Sequence, residues 1–199
     1  LSSASDGSGN LLIDSAASNA IDVGNHTLVA KYPGALGNSI KVSICPPGNA
    51  FDTWDFKTYF DAAPSTSGFA SARGCATDEI HVAVVDEDGL FTGTQGTVLE
   101  TFPYLSVATN ALSSDAVANY AKDVVNNNSN YVWWVNFDSD YRAANAGGAI
   151  DATSTSTFLG TSQTVKDHSF SNGVNSASLG TAEYLTGFDL FEDKDQVEV

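Results

Sequence analysis

The residues best suited to chemistry in this chain are carboxylates. Asp86-Glu87-Asp88-Gly89, with Glu100 downstream, has the oxygen-rich look of a calcium loop. An EF-hand loop places oxygen ligands at its first, third and fifth positions, glycine at the sixth and glutamate at the twelfth. Here the glycine comes fourth and the flanks read as strands, so the expectation is a hairpin turn. The three histidines, His26, His81 and His168, are scattered. None has a second ligand at the close spacing of a zinc site. His81 is expected to be half-buried at the start of a strand, and His168 to lie in a polar loop. Ser, His and Asp are plentiful, yet no Gly-x-Ser-x-Gly elbow marks a nucleophile. Gly93-Thr94-Gln95-Gly96 lacks the Lys-Ser/Thr of a phosphate loop. The pairs Asp138/Asp140 and Asp193/Asp195 have the residue types of glycoside hydrolysis, but in so acidic a chain they read as solvated surface. Asn25-His26-Thr27 and Asn127-Asn128-Ser129 match the glycosylation triplet. Without a basic region and apolar core at the N-terminus to act as a signal peptide, both read as chance matches. The expectation is a protein that is not an enzyme, with no catalytic, cofactor-binding or metal-ligating residues.

The elements that position these residues follow from pattern. Residues 1–24, rich in Ser, Ala, Gly, Asn and Asp, read as a linker or the end of a preceding inserted domain. Residues 25–199 read as one domain that continues beyond the C-terminus. Thr27–Ala30 is a short strand. Tyr32-Pro33-Gly34 and Gly37-Asn38 are turn signals. Ser39–Ile44 alternates polar and apolar as a half-buried strand, ended by Cys45-Pro46-Pro47-Gly48. Phe51, Trp54, Phe56, Tyr59 and Phe60 lack clean periodicity and read as a satellite core under a long loop, or else as a ligand-stacking surface. Ile80–Val85 is a strong strand, and Thr97–Phe102 returns as its partner, stopped by Pro103. A helix is expected from about Asp115, capped by Ser113 or Ser114. Its inward face would carry Val117, Tyr120, Ala121, Val124 and Val125, and the Asn126–Asn130 run would end it. Tyr131–Phe137 reads as a central strand, Phe158 and Val165 as a weak hairpin, and Thr181–Phe191 as a capped helix. The fold class is α+β: a mixed sheet or two-layer sandwich flanked by a few helices, with long surface loops at 46–79 and 138–180.

Bulk properties exclude several roles. The 199 residues can bury a real core. A formal charge of −16, from 24 acidic and eight basic residues, leaves no basic stripe for nucleic acid and disfavours anionic membranes. The longest apolar runs are strand-sized, short of the roughly 20 residues of a membrane span. Cys45 and Cys75 are too few for a disulfide scaffold, so two free thiols are expected, with a Cys45–Cys75 bridge as the minority reading. The chain has no methionine, which suggests a processed product or an excised piece.

Three stretches in order resemble the tail sheath proteins of contractile-tailed bacteriophages. They are Tyr32-Pro33-Gly34 with Gly37-Asn38 before an alternating strand, Val84–Gly89 followed by Val98–Phe102, and Phe188-Asp189-Leu190-Phe191 leading into Val197-Glu198-Val199. The resemblance implies a structural virion protein, assembled in the host cytoplasm and located in the tail sheath. It implies a middle portion of a subunit that packs with its own copies in stacked hexameric rings around the tail tube and contracts during genome delivery. Contacts to tube and baseplate would come from other parts of the subunit, and the long polar stretches would decorate the outer surface. It implies no cofactor, no nucleic acid and no membrane. The rival readings are a carbohydrate-binding or adhesin-type module on a virion or cell surface, suggested by the aromatic cluster, and, more weakly, a hydrolase domain.

Overall fold

A computed structural model describes residues 28–32, 34–135, 148–150, 157–160, 163–175, 180, 181 and 185. Six strands and two helices are named among them: β1 (Leu28–Ala30), β2 (Ile40–Cys45), α1 (Gly68–Ser71), β3 (Glu79–Asp86), β4 (Thr97–Ser106), α2 (Ala121–Asn128), β5 (Val132–Trp134) and β6 (Lys166–Ser169). They form a four-stranded sheet in the order β4-β3-β2-β6 and a two-stranded sheet of β1 and β5. Every pairing within them is antiparallel. The expected α+β class holds.

The main sheet is covered on both faces, which explains the unbroken apolar run of β3. Side chains alternate across a strand. Ile40, Val42 and Ile44 of β2 and Ile80, Val82 and Val84 of β3 enter the larger core, with Ala121, Val125, Val132, Trp134, Phe158 and Leu159. The opposite face of the same strands carries Cys45, Ala83 and Val85, and these pack on Trp54 and Phe60. Trp54 and Phe60, with Phe51 and Phe56 packed against them, therefore form a second core, while Tyr59 is exposed. The Trp54 indole N–H donates to Ser43 Oγ at 2.8 Å, pinning the cluster to β2. With neighbours on both edges and both faces, β2 is almost wholly buried rather than half-buried.

Several expectations are corrected. Pro103 does not end β4. The strand runs on to Ser106 because Pro103 and Tyr104 together face His81 in a bulge, with Tyr104 at φ 52°. A bulge on an edge strand is where a missing N–H does no harm.

The helix α2 begins at Ala121, not near Asp115. Residues 112–118 instead form a small hairpin. Leu112 is bridged to Ala118, Ser113 Oγ accepts from the Val117 amide at 3.3 Å, and Ala116 has φ 59°. The chain stays extended through Asn119 because the Ser106 amide donates to the Asn119 carbonyl at 2.9 Å, completing the end of β4. Val117 is accordingly exposed rather than on an inward face.

Among the described residues β5 pairs only with β1, at the edge of a two-stranded sheet and not at the centre of a larger one. Its backbone at Trp134 is held instead by Asn126, which the sequence marks only as part of a helix-ending run. The Trp134 amide donates to Asn126 Oδ1 at 2.6 Å, and Asn126 Nδ2 donates to the Trp134 carbonyl at 3.0 Å. Replacing Asn126 by Ala removes both bonds and leaves a part-buried strand amide without its acceptor. The expected cost is about 2 kcal/mol in urea unfolding, with faster hydrogen exchange at Trp134.

In place of a hairpin between Phe158 and Val165, Ala76 is bridged to Thr157 and β6 pairs with β2. The proposed helix at 181–191, the terminal strand at 197–199, Asp138/Asp140, Asp193/Asp195 and His26 lie largely or wholly outside the described residues.

Candidate functional site

The acidic turn is a structural knot. Asp86 is fully buried at the end of β3. Its Oδ1 accepts from Ser39 Oγ at 2.6 Å. Its Oδ2 accepts from the Phe91 amide at 3.0 Å, the Thr92 amide at 2.8 Å and the Thr92 hydroxyl at 2.8 Å. Burial by itself pushes this carboxyl up, but the hydrogen bonds from Ser39, Thr92 and Phe91 outweigh it and hold the group below the ordinary carboxylate range. Ser39 Oγ in turn accepts from the amides of Asp88 and Leu90, each at 3.2 Å. The loop closes on Gly89, at φ +80°, where a Cβ would lie 2.8 Å from the Gln95 amide nitrogen. Both oxygens of Asp86 are thus engaged by protein donors.

Its neighbours are engaged as well. Glu87 pairs with Lys41 at 3.6 Å. Glu100 accepts from Ser129 Oγ at 2.7 Å and from the Asn130 amide at 2.7 Å, so it holds the corner between α2 and β5. Among the described residues, no group of three or more His, Cys, Asp or Glu side chains is arranged to hold a metal ion.

His81 is also fully buried, deeper than expected, on the face of β3 toward the aromatic core. Its ring stacks on Phe60 with centroids 4.5 Å apart and meets Tyr104 edge-on at 4.6 Å. Nδ1 accepts from the Tyr104 amide at 3.0 Å, so the proton sits on Nε2, which donates to the Ala62 carbonyl at 2.8 Å. Burial lowers its pKa, against the raising effect of the backbone hydrogen bonds. The ring is a neutral bolt that joins β3, the β4 bulge and the loop after Phe60. His168 lies in β6 rather than in a loop, opposite Val42.

A further buried carboxylate escaped the sequence reading. Asp78 Oδ1 accepts from the Ser67 amide at 2.8 Å, and Oδ2 accepts from Ser67 Oγ at 2.8 Å and Ser106 Oγ at 2.6 Å. Ser67 also caps α1, its hydroxyl accepting from the Ala70 amide at 3.1 Å. Only the position of Asp78, one residue before a strongly apolar strand, hinted at this. Neither cysteine is in a disulfide, and both are buried. Burial pushes the Cys45 thiol up to about 12, far from a nucleophile's range.

The first two of the stretches singled out along the sequence meet in space, β2 after the first pairing with β3 at the second. Tyr32 packs edge-on against Phe91 at 4.9 Å, and Tyr131 contacts both rings at 5.8 and 5.4 Å. Lys31 donates to the Ser129 carbonyl and lies 3.5 Å over the Trp133 ring. The tied loop leaves Leu90 exposed at its tip, and Val117, Tyr59 and Val174 are exposed elsewhere. What the arrangement offers is a stiff body with displayed loops; the carboxylates that invited chemistry are holding those loops in place.

No family model matches the chain. A tail sheath protein of Salmonella phage ViI is 31% identical to it over 98 residues, which make up 49% of this chain. The matched segment spans about 14% of that protein's length. The similarity bears out the resemblance read from the sequence.

Proposed function

We propose that this chain is a segment of a contractile-tail sheath subunit, with residues 25–199 as one sheath domain and 1–24 as a linker or the end of a preceding inserted domain. The observation that carries the reading is the 31% identity over half the chain to a phage tail sheath protein. That similarity supports a structural component of a phage virion and a non-enzymatic role. The finer reading is that the full subunit packs with its own copies in hexameric rings stacked as a helical lattice around the tail tube. Contraction of that lattice would accompany genome delivery. Contacts to tube and baseplate belong to other parts of the subunit, and assembly takes place in the host cytoplasm.

The physical fit is good. A lattice that stores work in its packing needs subunits that move as rigid bodies. The buried Asp86, Asp78 and His81 knots tie loops to the sheet and make this domain stiff. A net charge of −16 makes copies repel at long range, so contacts between them are expected to strengthen with salt.

The test is to express the full-length gene product that contains this segment and image it by electron microscopy. Tubes of stacked sixfold rings are expected, with the fold of residues 28–135 recognisable in the reconstructed subunit. A product that stays monomeric, or that immunogold labelling finds on the particle anywhere but along the tail, overturns the reading.

A further inference from the structure

A cleft of about 610 Å³ opens where the aromatic segment meets the approach to β6. Its wall includes Trp54, Phe56, Asn49, Asp55, Gln163 and Asp167. We propose that this cleft binds a neutral saccharide of one or two hexose units.

The first argument is preorganisation. Phe56 is half-buried and held edge-on against Trp54, with centroids 5.8 Å apart and planes at 82°. Trp54 is itself fixed to β2 through Ser43. The ring at the cleft is therefore placed before any ligand arrives. A pyranose offers a face of C–H bonds that packs against the negative face of an aromatic ring.

The second argument is the polar lining of the cleft. Asp78, Asp86 and Glu100 are engaged internally. Asn49, Asp55 and Asp167 are exposed, and with Gln163 they bring two amides and two carboxylates to the cleft. Sugar hydroxyls both donate and accept, so they satisfy carboxylates and amides together.

The other ligand classes fit less well. Two carboxylates repel an anionic ligand, and Lys41, whose Nζ lies 5.6 Å from the centre of the Phe56 ring, is paired with Glu87. The two carboxylates also fall short of the oxygen count a calcium ion needs, and no metal-type cluster of three occurs among the described residues. An apolar ligand would strip water from four polar side chains without replacing it. The volume lies inside the range of about 300–1,000 Å³ typical of small-molecule sites.

The proposal is independent of the sheath reading, because the two are tested by different measurements. The experiment is a ¹⁵N–¹H NMR titration of the 199-residue chain. The probes are methyl glycosides of glucose, galactose and mannose, N-acetylglucosamine, maltose and lactose, taken to ~50 mM to reach weak affinities. N-acetylneuraminic acid serves as the anionic control. At least one neutral sugar is expected to shift the amides of 49–56 and 163–167 and the Trp54 indole in a saturable way. Phe56→Ala is expected to weaken that sugar at least about tenfold, as loss of a stacked ring should. Asp55→Ala, at an exposed residue that leaves the fold intact, is expected to weaken it at least about fivefold through the lost charge-assisted hydrogen bonds. Absence of saturable shifts with every neutral sugar overturns the proposal. So do shifts that map elsewhere, affinity unchanged in Asp55→Ala, or equal binding of the anionic control.

Discussion

Replacing Asp86 by Ala is expected to destabilise the domain by about 4 kcal/mol, because it strands several buried donors at once. Ser39 Oγ, Thr92 Oγ and the amides of Phe91 and Thr92 all lose their acceptor. The loop from Glu87 to Gly96 should then detach from the sheet end while the β2–β3 pairing survives. Urea unfolding measures the loss. Hydrogen exchange locates it, with faster exchange at Phe91 and Thr92 and little change at Val82–Val84. Asp86→Asn keeps the shape but not the charge, and should cost about 2 kcal/mol, since bonds to a charged acceptor are roughly twice as strong as neutral ones.

The sign of the pH effect follows from the same carboxyl. Its folded pKa is depressed below the ordinary 3.8. The stabilisation it contributes is fully present above that ordinary value and is lost as pH falls through the folded one. An acid titration of stability should therefore show a loss below about pH 4 that is absent in Asp86→Asn.

The second large effect is expected at His81. His81→Ala removes a ring stacked on Phe60 and edge-on to Tyr104, and deletes both imidazole hydrogen bonds. The expected cost is again about 4 kcal/mol, from the cavity and the unpaired Tyr104 amide together. His81→Phe restores the stack but not the hydrogen bonds, and should recover roughly half of that loss. Here too the folded pKa is lowered, from the ordinary 6.5. Between the folded value and 6.5 the unfolded chain binds the proton that the folded chain refuses. Stability therefore declines as pH drops below about 6.5. This is a higher window than that of Asp86, and it should vanish in His81→Phe. Urea unfolding of the unsubstituted chain, Asp86→Asn and His81→Phe between about pH 7 and 3 separates the two windows. If His81→Phe keeps the upper one, burial of the imidazole is not its cause.

Much of the scaffold was legible because it rests on local pattern. The run Ile80–Val85 reads as a strand from its apolar, β-branched residues, and Ser39–Ile44 reads as one from its alternation. The α+β class follows from those periodicities. So does the reading of Asp86–Gly89 as a bend between strands rather than a calcium loop, since its glycine falls at the wrong step. The resemblance to sheath proteins was also readable, because it lives in the order of turn and strand signals along the chain.

What the sequence alone could not determine was set by partners distant in the chain. Pro103 ends a strand by local rule, yet β4 continues because His81, on the neighbouring strand, accepts the Tyr104 amide across a bulge. Helix α2 starts late because Asn119 is taken as a strand partner by Ser106. Tyr131–Phe137 is apolar enough for a central strand, but the Asn126 amide occupies the backbone of Trp134, and among the described residues β5 pairs with β1 alone. Strand β6, made of Lys166, Asp167, His168 and Ser169, carries no apolar period at all and exists through its ladder to β2. The carboxylates make the same point. Sequence marks Asp86 as a polar residue at a turn, and only the fold, by burying it against Ser39, Phe91 and Thr92, turns a candidate ligand into a structural anchor.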